Sequence, residues 1–218
     1  MAEVGLVFCI RDLILGGISC KHLLSFYFFE FVIHCFSLWL KILFQNRFLD
    51  DIGNDCLMSI DCTDFRLPQY SPFSTVWYSP KFNGPALRYE VGVCIRTGHI
   101  VWINGPFLPG VWNDISIFRW CLKFLLALYE RVEADDGYRG EIRSAVTQLH
   151  RDGQGEVAIL VKGRLQKRHE TANKRLKQWK CLKEVFRHGI KKHSAVFRAV
   201  AVITQLSIEN GEPLFGVD

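Results

Sequence analysis

Three carboxylates occupy positions where an acid can do chemistry. Asp61 ends the apolar run C56-L-M-S-I60, Asp135 follows R131-V-E-A134, and Glu170 opens a segment dense in lysine and arginine. Hard oxygen ligands suit Mg2+ or Mn2+, and two such ions about 4 Å apart can clamp the attacking and leaving oxygens of an in-line phosphoryl transfer. Each acid also has an ordinary reading. Asp61 can be a turn acceptor, Asp135 or Asp136 can form an Asx turn before Gly137, and Glu170 can be a first-turn acid favoured by the helix dipole. Taken singly the ordinary readings prevail. The joint pattern says more, because two acids end apolar runs and the third opens the most basic stretch of the chain.

The charge distribution bears on what such acids could act upon. The formal net charge of +5 hides an asymmetry: residues 162–192 carry twelve Lys or Arg against Glu170 and Glu184, which leaves the remainder with an acidic excess. A block this dense fits either a solvated helix face or a polyanion, of which nucleic acid is the commonest. Catalytic acids repel a phosphate backbone, so a carboxylate site working on one needs basic flanks.

The elements that must position these residues follow from pattern. Residues 56–60 read as a buried strand ending at Asp61 and running into the proline-bearing loop T63-D-F-R-L-P-Q69. R88-Y-E-V-G-V-C-I-R96 and H99-I-V-W-I-N104, joined by T97-G98, read as a hairpin. After G105-P-F-L-P-G110, Asn113 or Asp114 caps a helix with Ile117, Trp120, Leu122, Phe124, Leu125 and Leu128 on one broad face. R131-V-E-A134 is a fourth strand, and 141–165, with D152-G-Q-G155, reads as connecting structure. A helix runs from about Arg168 to Phe186 with Ala172, Leu176, Trp179, Leu182 and Phe186 inward, which puts Glu170 in its first turn. A last helix starts near Ser194, turns Val196, Val200, Ile203 and Leu206 inward, and stops at Asn210-Gly211. If the first and fourth strands are neighbours in a mixed sheet, Asp61 and Asp135 come together.

At 218 residues and 49% hydrophobic, the chain can bury a sizeable core. Its eight cysteines are scattered without a C-x-x-C or a zinc-spaced histidine pair, and read as reduced thiols inside a cell. The division is an atypical apolar segment, residues 1–45, and a domain over 46–218. Leu23–Phe44 is long enough to span a bilayer, but Glu30, His34 and Lys41 interrupt it and argue against a membrane anchor, in favour of a core-facing helical extension or an atypical end of a truncated or misread chain.

Six motifs in order carry a family resemblance: S59-I-D-C-T-D-F65; Y78-S-P-K-F-N-G-P-A-L-R-Y-E-V-G-V-C-I95; H99-I-V-W-I-N-G-P-F107; P109-G-V-W-N-D114; A134-D-D-G-Y-R-G140; and R168-H-E-T-A-N-K-R-L-K177. Over roughly residues 45–215 the chain resembles the DDE-superfamily endonuclease domain of PIF/Harbinger-type transposases. The resemblance implies an α/β, RNase H-like mixed sheet flanked by helices and a metal-dependent DNA strand cleavage and transfer. It implies Asp61, Asp135 and Glu170 as catalytic residues and as ligands of Mg2+ or Mn2+, two ions in all. Cys62 stands where the family often has glycine, and Asp136 fills a variable position. Asp114 matches a recurring family aspartate, for which a helix N-cap is the stronger reading. Lys174, Arg175, Lys177 and Lys180 follow Glu170 and could contact phosphates, giving affinity rather than sequence readout.

The implied partners are DNA, a separate Myb-like DNA-binding protein, and a second copy of the chain in a homo-oligomer. The implied location is the nucleus in a eukaryote, and intracellular otherwise. The alternative is a catalytically silent, domesticated or truncated DNA-binding or scaffold protein that keeps the fold.

Overall fold

The computed structural model describes residues 41–48, 56–69, 71–141, 143–146 and 156–214, and for 146 and 156–166 the backbone course alone. Six strands are found among them: β1 (Cys56–Arg66), β2 (Tyr78–Ser79), β3 (Gly84–Cys94), β4 (Ile100–Phe107), β5 (Arg131–Ala134) and β6 (Ala145–Val146). The helices are α1 (Asp114–Trp120), α2 (Glu156–Lys177), α3 (Lys180–Lys183) and α4 (His193–Glu209), with short 3-10 turns between elements.

The sheet is mixed. β1 lies at its centre, antiparallel to β3 on one side and parallel to β5 on the other. β4 and the two-residue β2 pair antiparallel with the far edge of β3, and β6 pairs parallel with β5. The expected neighbouring of the first strand and R131-V-E-A134 is therefore present, in parallel register with Ile60 opposite Ala134.

Both faces of the sheet are covered, which is why β1 and β3 are buried along nearly their whole length rather than alternating. On one face Phe65, Tyr89, Val91 and Val93 pack with Ala172 and Leu176 of α2 and Phe197 and Val200 of α4. On the other Met58, Ile60 and Cys62 meet Val132, Tyr138 and Ile117 and Phe118 of α1. Gly92 is needed where β3 crosses this second layer: a Cβ there would lie 2.6 Å from Met58 Sδ and 2.8 Å from Trp102 Cβ. Residues 41–48 rest against the domain through the Phe44–Trp102 ring contact and a buried ion pair, Arg47 Nε to Glu130 Oε1 at 2.6 Å.

Several sequence expectations are corrected. β1 does not end at Asp61 but continues to Arg66, because the polar residues that suggested a loop are buried and paired: Asp64 is fully enclosed and held by Arg88 and Ser79. α1 stops at Trp120, where Cys121 (φ −136°, ψ −66°) leaves helical geometry. The later apolar positions consequently lose their common face, and Trp120, Phe124, Leu125 and Leu128 are exposed while Ile117 and Leu122 are buried.

Part of the expected connecting structure over 141–165 is ordered as β6 and the start of α2, which runs to Lys177 rather than from Arg168 to Phe186. Glu170 thus lies in the second half of a 22-residue helix, not its first turn. The inward set Ala172, Leu176, Trp179, Leu182 and Phe186 is nonetheless buried, as are Val196, Val200, Ile203 and Leu206 of α4.

Among the described residues no helix is long and apolar enough to cross a membrane. Most of the Leu23–Phe44 stretch, and the helical extension read into it, lie outside those residues. The five described cysteines are free thiols, Cys62 and Cys94 buried.

Candidate carboxylate site

Strand alternation decides which way the acids face. Met58, Ile60 and Cys62 point to the α1 layer, so Asp61 points to the opposite face, toward α2. There Asn173 Nδ2 donates to Asp61 Oδ2 at 3.0 Å. Asp135 follows Ala134 at the carboxyl end of β5, and since Ile60 is level with Ala134 across a parallel pair, Asp61 and Asp135 are each the next residue after the last paired position, close enough for the Asp61 charge to act on Asp135. Neighbouring strands are about 4.8 Å apart.

Asp135 forms the Asx-type turn before Gly137. It caps the 3-10 turn Asp136–Tyr138, its Oδ1 accepting from the Gly137 N–H at 2.9 Å, and it leaves a strand end next to another acid. Tyr138 packs beneath, fully buried, edge-on to Phe118 and with its hydroxyl 3.3 Å from Cys62 Sγ.

Asp114 joins these two. The α1 N-cap is Asn113, whose side chain accepts from the Ser116 N–H at 2.9 Å, so the capping role expected of Asp114 belongs to its neighbour. Asp114 instead takes an ion pair from Arg88 Nη1 at 2.8 Å. A Cβ built on Gly137 would lie 3.0 Å from Asp114 Oδ2 and 3.0 Å from Asp135 Oδ1, so the two carboxylates face the same small space above the glycine.

The electrostatics agree with this crowding. Partial desolvation raises the Asp135 carboxyl above its ordinary range, the Asp61 charge adds to it, the Gly137 N–H opposes it and Asp114 adds again. Asp114 is likewise raised, chiefly by burial, against the pull of Arg88 and Lys81. Burial pushes the His169 ring toward its neutral form while the charge on Asp61 opposes that shift.

Glu170 is exposed and does not join the aspartates, although it lies one helical turn before Asn173. Among the described residues no three His, Cys, Asp or Glu side chains are grouped to hold a metal ion as they stand. What is gathered is a nucleus of hard oxygen donors. Their mutual repulsion is of the kind a divalent cation relieves, and carboxylate oxygens are the donors Mg2+ and Mn2+ prefer.

The four basic residues read as phosphate contacts are not equivalent. Arg175 is engaged with Glu212 at 2.9 Å, and Lys174 and Lys180 are exposed. Lys177 turns inward, its ammonium 5.3 Å from the Phe65 ring centre and 5.6 Å from that of Phe82.

Sequence reasoning did not single out Asn173, His169, Arg88 or Lys81. The signal for the first two was available: residues 169, 172, 173 and 176 share one face of a helix, and Ala172 and Leu176 mark that face as inward. No family model, curated protein or solved structure matches the chain.

Proposed function

We propose that the protein is a metal-dependent nuclease of the DDE type, with an RNase H-like fold, that cuts or transfers a DNA strand at Asp61 and Asp135. The observation that carries the reading is the parallel β1–β5 register, which makes Asp61 and Asp135 neighbours where two strands run side by side. An antiparallel β3–β4 hairpin on the other side of β1 and helices on both faces are in keeping with the RNase H-like arrangement.

Asp61 and Asp135 would hold the ions, with Glu170 supplied from α2. Two bound Mg2+ or Mn2+ ions would activate a water or a DNA 3′-hydroxyl and neutralise charge on the departing oxygen. The chain's own contribution is orientation. Asn173 fixes one oxygen of Asp61, the Gly137 N–H fixes one of Asp135, and Arg88 restrains Asp114 beside them. The basic residues of α2 add affinity for the backbone without reading sequence. A reaction on DNA would put the protein in the nucleus of a eukaryotic cell, alongside a separate DNA-reading partner.

The second reading, a silent DNA-binding or scaffold protein, is favoured by one observation: Glu170 is exposed, and among the described residues it completes no three-acid group with the aspartates. Thermal unfolding with and without Mn2+, followed by nicking of a supercoiled duplex, separates the two. The nuclease reading expects a Mn2+-dependent rise in Tm and nicking in the wild type, both lost in Asp61→Asn and Asp135→Asn. A wild type that binds duplex but neither responds to metal nor nicks would leave the silent reading in place.

A further inference from the structure

Three cationic side chains from three separate elements meet the stretch of β1 from Cys62 to Arg66, beginning one residue after Asp61. Lys81, in the turn between β2 and β3, donates from its ammonium to the Cys62 carbonyl at 2.6 Å, one residue from Asp61. Lys177 reaches from the end of α2 to the Phe65 and Phe82 rings. Arg66, the last residue of β1, holds its guanidinium 4.7 Å from the centre of the same Phe82 ring.

Among the described residues no carboxylate forms an ion pair with any of the three, whereas Arg88 has two and Arg119 and Arg175 have one each. Lys177 is part-buried, and the nearby Lys81 charge adds to burial in disfavouring its ammonium form, while Asp64 and Asp61 favour it. Lys177 and Arg66 border the Phe82 ring, and Lys81 acts on the Lys177 charge. The acids nearby temper these cations without a direct ion pair, so the cluster offers positive charge to an anion beside them.

We propose that Lys81 and Lys177, with Arg66 at the Phe82 ring, form a subsite for the backbone phosphate of a nucleic acid strand whose neighbouring phosphodiester lies over Asp61 and Asp135. The choice of a phosphodiester as ligand rests on the phosphoryl-transfer reading of those aspartates. The convergence of the cations does not. A phosphate held here offsets the repulsion that the aspartates exert on an incoming strand, and it sets the strand's position relative to them. The contacts are to phosphate oxygens, so the subsite is indifferent to sequence.

The test is equilibrium binding of a labelled short duplex and its single strand in EDTA, read by anisotropy across a range of salt concentrations. The variants are Lys81→Ala, Lys177→Met, which keeps a stem against Phe65 and Phe82, and the exposed control Lys191→Ala. The expected result is about a tenfold loss of affinity in each of the first two and a reduction of about one in the salt slope. Lys191→Ala should bind as wild type, and Lys81→Arg and Lys177→Arg should restore most of the affinity.

Unchanged affinity and slope in Lys81→Ala and Lys177→Met would overturn the proposal. Displacement of the strand by millimolar inorganic phosphate as readily as by unlabelled duplex would also overturn it, in favour of a free-anion site. Because no metal is present, the result is independent of catalysis. Weakened binding in these variants, together with a wild type that never nicks, would keep the subsite and remove the nuclease reading. Wild-type binding and nicking in Lys81→Ala and Lys177→Met would do the reverse.

Discussion

Asn173 and Asp61 lie far apart in sequence and are joined by a 3.0 Å hydrogen bond from the amide to Oδ2, which ties α2 to the central strand. The bond leaves the other Asp61 oxygen free of Asn173 and fixes its direction. Hydrogen bonds to a charged group contribute about 1.5–3 kcal/mol, and this one is only part-buried, so the lower end applies. Asn173→Ala is expected to weaken Mn2+ binding about tenfold, measured as the metal concentration needed for half of the Tm rise. Asn173→Asp places a second charge against Asp61 and should reduce metal-free stability while steepening its dependence on Mn2+. An Asn173→Ala protein with the wild-type metal response would show that the bond only packs the helix.

Arg88 serves two acids. Its Nε and Nη2 hold Asp64 at 2.7 and 2.9 Å, and its Nη1 holds Asp114 at 2.8 Å. Asp64 has no exposed surface, so Arg88→Met strands a buried charge and should cost about 3–5 kcal/mol, read from urea unfolding. Arg88→Lys, which cannot bridge both acids with a planar fork, should fall between the two. Loss of less than about 1 kcal/mol in Arg88→Met would mean that Asp64 finds another partner.

Two buried groups titrate in opposite senses. Burial pushes Glu90 up to about 7, against the hydrogen bond from Trp102, and pushes His193 down to about 4. Between about 4.5 and 7 the folded protein holds a proton on Glu90 that the unfolded chain has released, so stability falls as pH rises through that window. Between about 4 and 6.5 the unfolded chain protonates His193 and the folded protein does not, so stability rises with pH. The raised Asp114 and Asp135 act in the Glu90 sense and the lowered His169 in the His193 sense.

The two slopes offset each other in the wild type. Glu90→Gln should expose the rising one and be more stable than wild type at pH 8, by up to about 3 kcal/mol. Chemical unfolding at pH 5 and pH 8 measures this. A variant with the same change in stability between pH 5 and pH 8 as the wild type would show that Glu90 is already ionised in the folded protein at the lower pH.

How far the site was legible in the sequence differs from residue to residue. Asp135 could be placed because R131-V-E-A134 is a short apolar run with a sharp Asp-Gly stop, and β5 has those bounds. Asp61 could be recognised as an acid worth watching, yet its strand was ended too early. Asp64 looks like a loop residue until Arg88, from a strand whose position only the folded sheet reveals, arrives to pair it. The α2 boundary was missed because residues 156–167 lack a clear apolar stripe, which displaced Glu170 toward a helix start. Asn173 is an unremarkable polar residue in one dimension. Only the crossing of α2 over β1 makes it the partner of Asp61.

Gly137 separates the requirements of the site from those of stability. Its backbone does not need the left-handed region, and an alanine there would narrow the unfolded ensemble, a gain of about 0.4–1 kcal/mol where the native conformation accepts it. The new methyl, however, would stand 3.0 Å from both Asp114 Oδ2 and Asp135 Oδ1, in the space those carboxylates share. At least one of them must move by a few tenths of an ångström. Gly137→Ala is therefore expected to change metal-free Tm by no more than a few degrees while weakening the Mn2+-dependent rise about tenfold. A parallel loss of both would make the glycine a folding requirement of the turn. A full metal response would place the ion away from the space between Asp114 and Asp135, on the Asn173 side of Asp61.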